Sequence, residues 1–195
     1  MTWIVTGGAG YIGAHVVHRL HRQHEVVVFD DLSAGRLDRL PPAVPLVKGS
    51  VTSRDDLDRL FRRYPADGVI HLAAVKSVDE SVRDPQLYQR VNVDGVRELT
   101  GAMRRAAVSR LMFASSAAVY GDTGRRPAHE WRRPRPVNPY GSTKRHGERI
   151  LAAAGGRHLD ALVFRMFNVV GAGDHPFALD PSPTGLLPAV FRAAT

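Results

Sequence analysis

A short apolar segment, Trp3–Thr6, runs straight into Gly7-Gly8-Ala9-Gly10-Tyr11-Ile12-Gly13, and helix-period sequence follows over Ile12–Arg22. No other stretch restricts the fold as much. Glycines at this spacing allow a tight turn with no side chains in the way, so a helix can begin directly after a strand with its first amides bare. The segment reads both as G-x-x-G-x-x-G (Gly7, Gly10, Gly13) and as G-x-G-x-x-G (Gly8, Gly10, Gly13). A strand, a glycine turn and a helix form the first arm of a βαβ unit, which requires a parallel strand to return beside the first.

The remaining sequence supplies such strands. Apolar runs at Trp3–Thr6, Val26–Asp30, Pro45–Lys48, Val69–Ala73, Leu111–Ser115 and Leu162–Phe167 alternate with helix-period segments at Ile12–Arg22, Arg54–Arg63, Gln86–Ala107 and Tyr140–Ala154. The alternation predicts the α/β class: a doubly wound, Rossmann-like parallel sheet in the strand order 3-2-1-4-5-6. Residues 1–170 are expected to form this domain. From Gly171 to Pro188 the chain becomes rich in Gly, Pro and Asp, and Leu186–Ala194 then looks like the start of a helix. Residues 171–195 therefore read as only the beginning of a truncated substrate-binding region.

A helix N-terminus presents unpaired N–H groups and a positive dipole end, which suits a pyrophosphate. The second strand ends in Asp30-Asp31, about 20 residues beyond the glycines, where a carboxylate accepts ribose hydroxyls and repels a 2′-phosphate. The expected cofactor is NAD in preference to NADP, and Arg36 is the one nearby contrary signal. A second constellation lies later in the chain. Tyr140 and Lys144 are four residues apart at the start of a helix, so the phenol and the ammonium share one face. A phenol with a pKa near 10 is a weak base at neutral pH, and a neighbouring cation lowers that value. Tyr140 is thus a candidate to take a proton from a substrate hydroxyl, with Lys144 tuning it and holding the nicotinamide ribose. The fifth strand ends in Ala114-Ser115-Ser116, at the edge where doubly wound sheets bind ligands, so Ser116 can direct its hydroxyl at the same substrate oxygen. No G-x-S-x-G elbow surrounds Ser116, which argues against a serine nucleophile.

Together these motifs make the chain resemble the extended short-chain dehydrogenase/reductases, and within them the UDP-glucose 4-epimerases. The likeness runs through Gly7–Gly13, Asp30-Asp31-Leu32, His71–Val78 with Glu80-Ser81-Val82, Asn92-Val93, Ser115–Gly121, Asn138–Lys144 and Arg165–Gly171. The resemblance implies that Tyr11, Ile12, Leu32, Ser33, Leu72, Ala73, Ala74, Lys76, Asn92 and Phe167 line the dinucleotide, beside Gly7, Gly10, Gly13, Asp30 and Asp31. It puts Ser50 and Val51 next to the adenine, although relatives usually carry an acidic residue where Ser50 stands. Lys76, Ser116, Tyr140 and Asn168 would contact a nucleotide-sugar substrate. The segments Gln86–Ala107 and Tyr140–Ala154 resemble two helices that relatives pair across a twofold axis, which implies a homodimer.

Several other readings are disfavoured. The net charge of +8 invites nucleic acid, but only Lys48, Lys76 and Lys144 are lysines and the arginines are spread along the chain. The dense stretch Arg125–Arg135 lies in a proline-containing loop with Trp131 as its one stacking aromatic. There is no cysteine, which removes disulfides, thiolate catalysis and thiolate metal sites. The start lacks the pattern of a signal peptide, and no run approaches the roughly 20 apolar residues that cross a bilayer. A cytoplasmic protein without membrane partners is expected. His15, His18, His21 and His24 recur every third residue, a step that drifts around a helix, so no metal site is expected. Glu148 continues the Tyr140/Lys144 stripe and reads as an i,i+4 partner of Lys144. Ala117-Ala118 offers no acid for removing water from an oxidised sugar, so dehydration is disfavoured. The leading expectation is NAD-dependent 4-epimerisation of a sugar nucleotide, with little turnover in so short a chain. The alternatives are another NAD-dependent sugar-nucleotide oxidoreductase or decarboxylase, and an NAD-binding module without turnover.

Overall fold

The structure, a computed structural model, describes residues 1–156 and 158–171. Six parallel strands form one sheet: β1 (Thr2–Thr6), β2 (Glu25–Asp30), β3 (Leu46–Lys48), β4 (Gly68–His71), β5 (Arg110–Ser116) and β6 (Asp160–Met166). Their order is β3-β2-β1-β4-β5-β6, as the alternation predicts. The helices are α1 (Tyr11–Leu20), α2 (Arg54–Arg63), α3 (Val78–Arg83), α4 (Pro85–Gln89), α5 (Gly95–Arg105) and α6 (Pro139–Ala154).

Successive strand residues point to opposite faces, and here both faces are covered, which is why the inner strands read as continuous apolar runs rather than alternating ones. Val5, Val28 and Ile70 pack with Val17 of α1 on one face. Ile4, Val27, Val69 and Phe113 pack with Leu57 of α2, Leu99 and Met103 of α5 and Leu151 of α6 on the other. Local signals set the helix starts. Ser53 accepts the Asp56 amide at the head of α2, and Asn138 accepts the Gly141 amide at the head of α6, where Pro139 occupies the first turn. At α1 the N-cap is Gly10, and no side chain caps the helix.

Most element ends lie within two residues of the sequence-based expectation, and the differences that matter are these. The segment Gln86–Ala107 is not one regular helix. It is α4, then a π-helical turn at Arg90–Asp94, then α5, which stops before Ala107 in a left-handed conformation (φ 55). The π turn carries Asn92, whose amide holds the backbone of Val75 on both its N–H and its C=O. Helix α3 is too short to leave a period, although Ser77 caps it through the Glu80 amide. Strand β4 ends at His71, two residues before Ala73, because the chain there turns across Gly7. Helix α1 stops at Leu20 and β6 at Met166. The apolar segment Leu186–Ala194, and the division of the chain near residue 171, lie outside the described residues.

Helix α6 sits very close to β5. A Cβ on Gly147 would stand 2.7 Å from Cζ of Phe113, and the Phe113 ring is itself buried, with His71 stacked on it at 5.8 Å. Gly147→Ala gains about 1 kcal/mol of helix propensity, but overpacking typically costs about 1–3 kcal/mol. Urea unfolding is expected to show a net loss of about 1 kcal/mol, relieved when Phe113→Leu makes room. A more stable Gly147→Ala variant would mean that α6 is free to shift.

Candidate active site

Of the expected cofactor-binding residues, the glycines, Tyr11, Ile12, Asp30, Asp31, Leu32, Ser33, Leu72, Ala73, Ala74 and Lys76 lie at or just beyond the carboxyl ends of β1, β2 and β4, while the others follow β3 and β6 or stand on the π turn and α6. Gly7 adopts φ +71, and a Cβ there would lie 2.6 Å from the backbone nitrogen of Ala73. Gly13 has no more room, since its Cβ would meet the Gly7 carbonyl at 2.1 Å. Gly10 is different: only the Gly7 oxygen, at 3.2 Å, lies near where its Cβ would be. The first turn of α1, with Tyr11 and Ile12, therefore opens outward, uncapped and without an acidic residue. Asp30, only 7% exposed, closes the turn from the side. One of its oxygens accepts the Ala9 amide at 3.0 Å and the other the Leu32 amide at 2.8 Å. Leu32 takes a left-handed conformation (φ 62) to point its amide inward. Burial raises the pKa of Asp30, and these two amides oppose that shift.

Each Asp30 oxygen retains acceptor capacity beyond its one amide. A bare helix start beside such a carboxylate fits a dinucleotide, with pyrophosphate at the amides and ribose at the acid. Asp31 accepts both the amide and the hydroxyl of Ser33. Arg36 is engaged by Asp38, with Nη2 2.6 Å from a carboxylate oxygen, so it is drawn away from Asp30. At the end of β3 the Ser50 hydroxyl contacts that of Thr52 at 2.8 Å, and Val51 is buried against Gly95. Leu72, Ala73 and Ala74 follow β4 across Gly7, and Lys76 is exposed beyond them. Asn92 is 2% exposed, and its amide also reaches the Thr143 hydroxyl at 3.2 Å. Any influence of Asn92 on a dinucleotide therefore runs through the 73–76 loop that it braces. Tyr11 donates its hydroxyl to the Gly171 carbonyl, and Phe167 is 68% exposed with Asn168 beside it.

The residues expected to transfer protons meet at the end of β5. The Tyr140 phenol faces the Ser116 hydroxyl, which favours its ionised form, and Ser116 itself accepts the Ala118 amide at 3.1 Å. Tyr88 packs edge-on against the Tyr140 ring. Lys144 is buried and donates to the Ala114 carbonyl at 2.9 Å, with its ammonium 5.2 Å from the centre of the Phe113 ring. Burial lowers the Lys144 pKa to about 8. It raises that of Tyr140, and the Ser116 hydroxyl only partly opposes this. The expectation that the cationic neighbour lowers the phenol's pKa is thus corrected: in the free protein the half-buried phenol stays neutral. His71 is buried with Nδ1 2.7 Å from the Thr6 hydroxyl, and burial aided by the Lys144 charge lowers its pKa to about 3.

The sequence profile of the NAD dependent epimerase/dehydratase family matches residues 3–195. The chain belongs to this family. It is 45% identical over 171 residues to a UDP-glucose 4-epimerase of Azospirillum brasilense, covering 87% of this chain and 49% of that protein. With the UDP-glucose 4-epimerase of Streptomyces lividans it shares 37% identity, covering 98% of this chain and 59% of that one. The solved structure of UDP-glucose 4-epimerase from Brucella ovis in complex with NAD superimposes with a TM-score of 0.92 at 36% identity, over 99% of this chain and 60% of that chain. The Thermus thermophilus enzyme in complex with NAD gives 0.86 at 37% identity, over 90% and 58%. The chain spans about half to three-fifths of the length of these relatives.

In this epimerase-family site a second expectation fails, and two residues come as additions. Glu148 does not pair with Lys144. It accepts the Ser115 hydroxyl and is held by Arg165. Arg165 and Ser115 each begin a segment that carries the family likeness, but their pairing with Glu148 was not foreseen, because a contact between a strand and a helix leaves no period. Among the described residues no group of three or more His, Cys, Asp or Glu is placed to hold a metal ion, and no helix is long and apolar enough to cross a membrane.

The lowered Lys144 pKa has a signed consequence. Between about 8 and the ordinary 10.5 the unfolded chain binds the proton that the folded chain releases, so wild-type stability rises with pH across that window. Below pH 8 the buried charge opposes folding in full. Lys144→Met lacks this term. Its stability relative to wild type is expected to fall as pH rises from 8 to 10, by up to about 1.4 kcal/mol per pH unit, in urea unfolding at several pH values. A flat difference would place Lys144 in water.

Proposed function

We propose that the chain works in the cytoplasm as the NAD-binding and proton-transfer part of a UDP-glucose 4-epimerase-type isomerase. The observation that carries this reading is the α6 stripe, which sets Tyr140 on Ser116 and Lys144 on the Ala114 carbonyl, at the same sheet edge as the open glycine turn. Residues 1–170 are read as the NAD-binding domain and 171–195 as the start of the substrate-binding region. Relatives of known structure are described as UDP-glucose 4-epimerases in complex with NAD, which supports this assignment of cofactor and substrate.

Gly7, Gly10, Tyr11, Ile12 and Gly13 would receive the pyrophosphate, and Asp30, Asp31, Leu32 and Ser33 the adenosine ribose. Ser50 and Val51 would flank the adenine. Leu72, Ala73, Ala74, Lys76, Asn92 and Phe167 would border the rest of the dinucleotide, and Lys76 and Asn168 would touch the sugar nucleotide. The bound dinucleotide supplies reversible acceptance of the sugar C4 hydrogen with its electron pair, and its cationic ring favours an ionised phenol. Tyr140 takes the proton of the sugar 4-hydroxyl as the C4–H bond breaks, and returns it when that bond re-forms on the other face. Ser116 hydrogen-bonds the reacting oxygen through both steps, so charge developing there meets a fixed donor. Lys144 holds the nicotinamide ribose, and as an ammonium it favours the phenolate. Ala117 and Ala118 provide no acid for water elimination, which leaves the return of hydrogen as the outcome.

The reading extends to a homodimer through α4, α5 and α6. The faces concerned are polar, with Arg97, Arg104 and Arg149 exposed. Light scattering at micromolar concentration is expected to return twice the 21.4 kDa chain mass, with monomer increasing as salt is lowered and like charges lose their screening. Monomer alone at every salt would remove the dimer.

The direct test is reduction of bound NAD by UDP-glucose or UDP-galactose, followed by stopped-flow absorbance. Tyr140→Phe is expected to slow it by about 100-fold or more, the scale of a lost general base. Calorimetry on the same proteins should show NAD binding unchanged and NADP weaker than NAD, since Asp30 faces the 2′-phosphate with like charge. Equal reduction in the variant would make Tyr140 a bystander, and NADP bound as well as NAD would remove Asp30 from the ribose.

A further inference from the structure

Tyr140, Lys144 and Glu148 stand one helical turn apart on α6, and each meets a different atom at the end of β5. Tyr140 faces Ser116, Lys144 donates to the Ala114 carbonyl, and Glu148 accepts the Ser115 hydroxyl. Spacing alone would let Glu148 pair with Lys144. Arg165 occupies it instead. Nε lies 2.9 Å from one Glu148 oxygen and Nη2 2.8 Å from the other, a two-point fork whose side chains are only 22% and 13% exposed. Arg165 stands opposite Ser115 in the β5–β6 register, so strand pairing fixes where the fork stands. Its Nη1 donates to the Glu130 carbonyl at 3.1 Å. Its guanidinium lies 4.9 Å from the centre of the Tyr120 ring, in the turn that follows Ser116.

We propose that Arg165 is a positioning residue for the Tyr140–Lys144 pair: by engaging both oxygens of Glu148 it keeps that carboxylate from pairing with Lys144, and so leaves the ammonium to the Ala114 carbonyl and the cofactor. The proposal rests on the reading of Tyr140 and Lys144 as the proton-transfer residues. Its physical content is electrostatic. A carboxylate released one turn from Lys144 would stabilise the charged ammonium and draw it along the helix. The other groups around Lys144 do not do this. His71 from β4 is neutral, β5 presents the Ala114 carbonyl and the Phe113 ring, and Tyr140 on the same helix is a neutral phenol. Tyr88 of α4 packs on Tyr140 and keeps Glu80 of α3 as its own hydrogen-bond partner. A lysine in place of Arg165 would supply charge but no planar fork for two oxygens.

The chain has three lysines, Lys48, Lys76 and Lys144, so NMR of side-chain ¹³C-labelled lysine follows Lys144 directly, with Lys144→Met giving the assignment. The wild-type midpoint is expected near 8. Arg165→Gln is expected to raise it by about one pH unit, a tenfold gain in proton affinity, and Glu148→Gln combined with Arg165→Gln to return it to the wild-type value. Arg165→Lys provides a second arm should Arg165→Gln fold poorly, and a smaller rise is expected there. An unmoved midpoint in both Arg165 variants overturns the proposal. So does a rise that persists in the double variant, because loosened packing would then be the cause. Cofactor reduction is read separately: a midpoint that moves as expected in a protein that never reduces NAD would uphold the positioning role and refute the proposed function.

Discussion

The site depends first on the absence of a side chain at Gly7. Its backbone meets the backbone of Ala73 so closely that a Cβ would sit 2.6 Å from the Ala73 nitrogen. This contact joins the ends of β1 and β4, where the strand order turns back on itself and ligands bind in sheets of this type. From it the rest of the dinucleotide end follows. The turn can be tight only because Gly13 lets α1 pass the Gly7 carbonyl, and Asp30 then fixes the turn through the Ala9 amide. Asp30 is thus structural whatever else it holds. Its carboxylate is buried, and two backbone amides oppose the effect of burial on its charge.

The second constraint is the seating of α6 on β5. Gly147 sets the distance, and the polar stripe sets the register: the phenol, ammonium and carboxylate of Tyr140, Lys144 and Glu148 each take a fixed partner on the strand. A helix sliding by one residue would break all three at once, so the placement of these groups is held by the same contacts that pack the core. Asn92 performs the matching task from the other side, tying the 73–76 loop to Thr143 of α6. The π turn that presents Asn92 is a local irregularity of the kind that persists where tertiary contacts require it.

Much of this was legible in the sequence, for identifiable reasons. The glycine turn, the strand order and the Tyr140–Lys144 stripe are local or periodic features, and they survive in the structure. Interactions between elements were not legible. Glu148 looked like a partner for Lys144 because spacing along one helix is visible and a neighbouring strand is not, and Arg165 changed that outcome. The phenol was expected to be acidified, since its cationic neighbour can be read from the sequence while burial cannot. Strand β6 was found from its apolar run, yet Leu162 and Phe164 are exposed. A run of apolar residues indicates a strand without indicating what covers it.

The displaced pKa values explain how such a site can rest without reacting. In the free protein Tyr140 is half-buried and neutral, Lys144 is near its midpoint at about 8, and His71 is kept uncharged. A phenol in that state does not abstract protons. Burial has made both ionisations sensitive to any charge brought into the pocket, because in a low-dielectric site a single added charge shifts neighbouring pKa values by more than it would in water. A cationic ring favours the phenolate, and the phenolate in turn favours the Lys144 ammonium. Under the proposed function, cofactor binding and activation of the base are therefore one event. An anion already fixed beside Lys144 would weaken this coupling by holding the ammonium charged in advance, and Glu148 is the residue that would do so if Arg165 did not engage both of its oxygens.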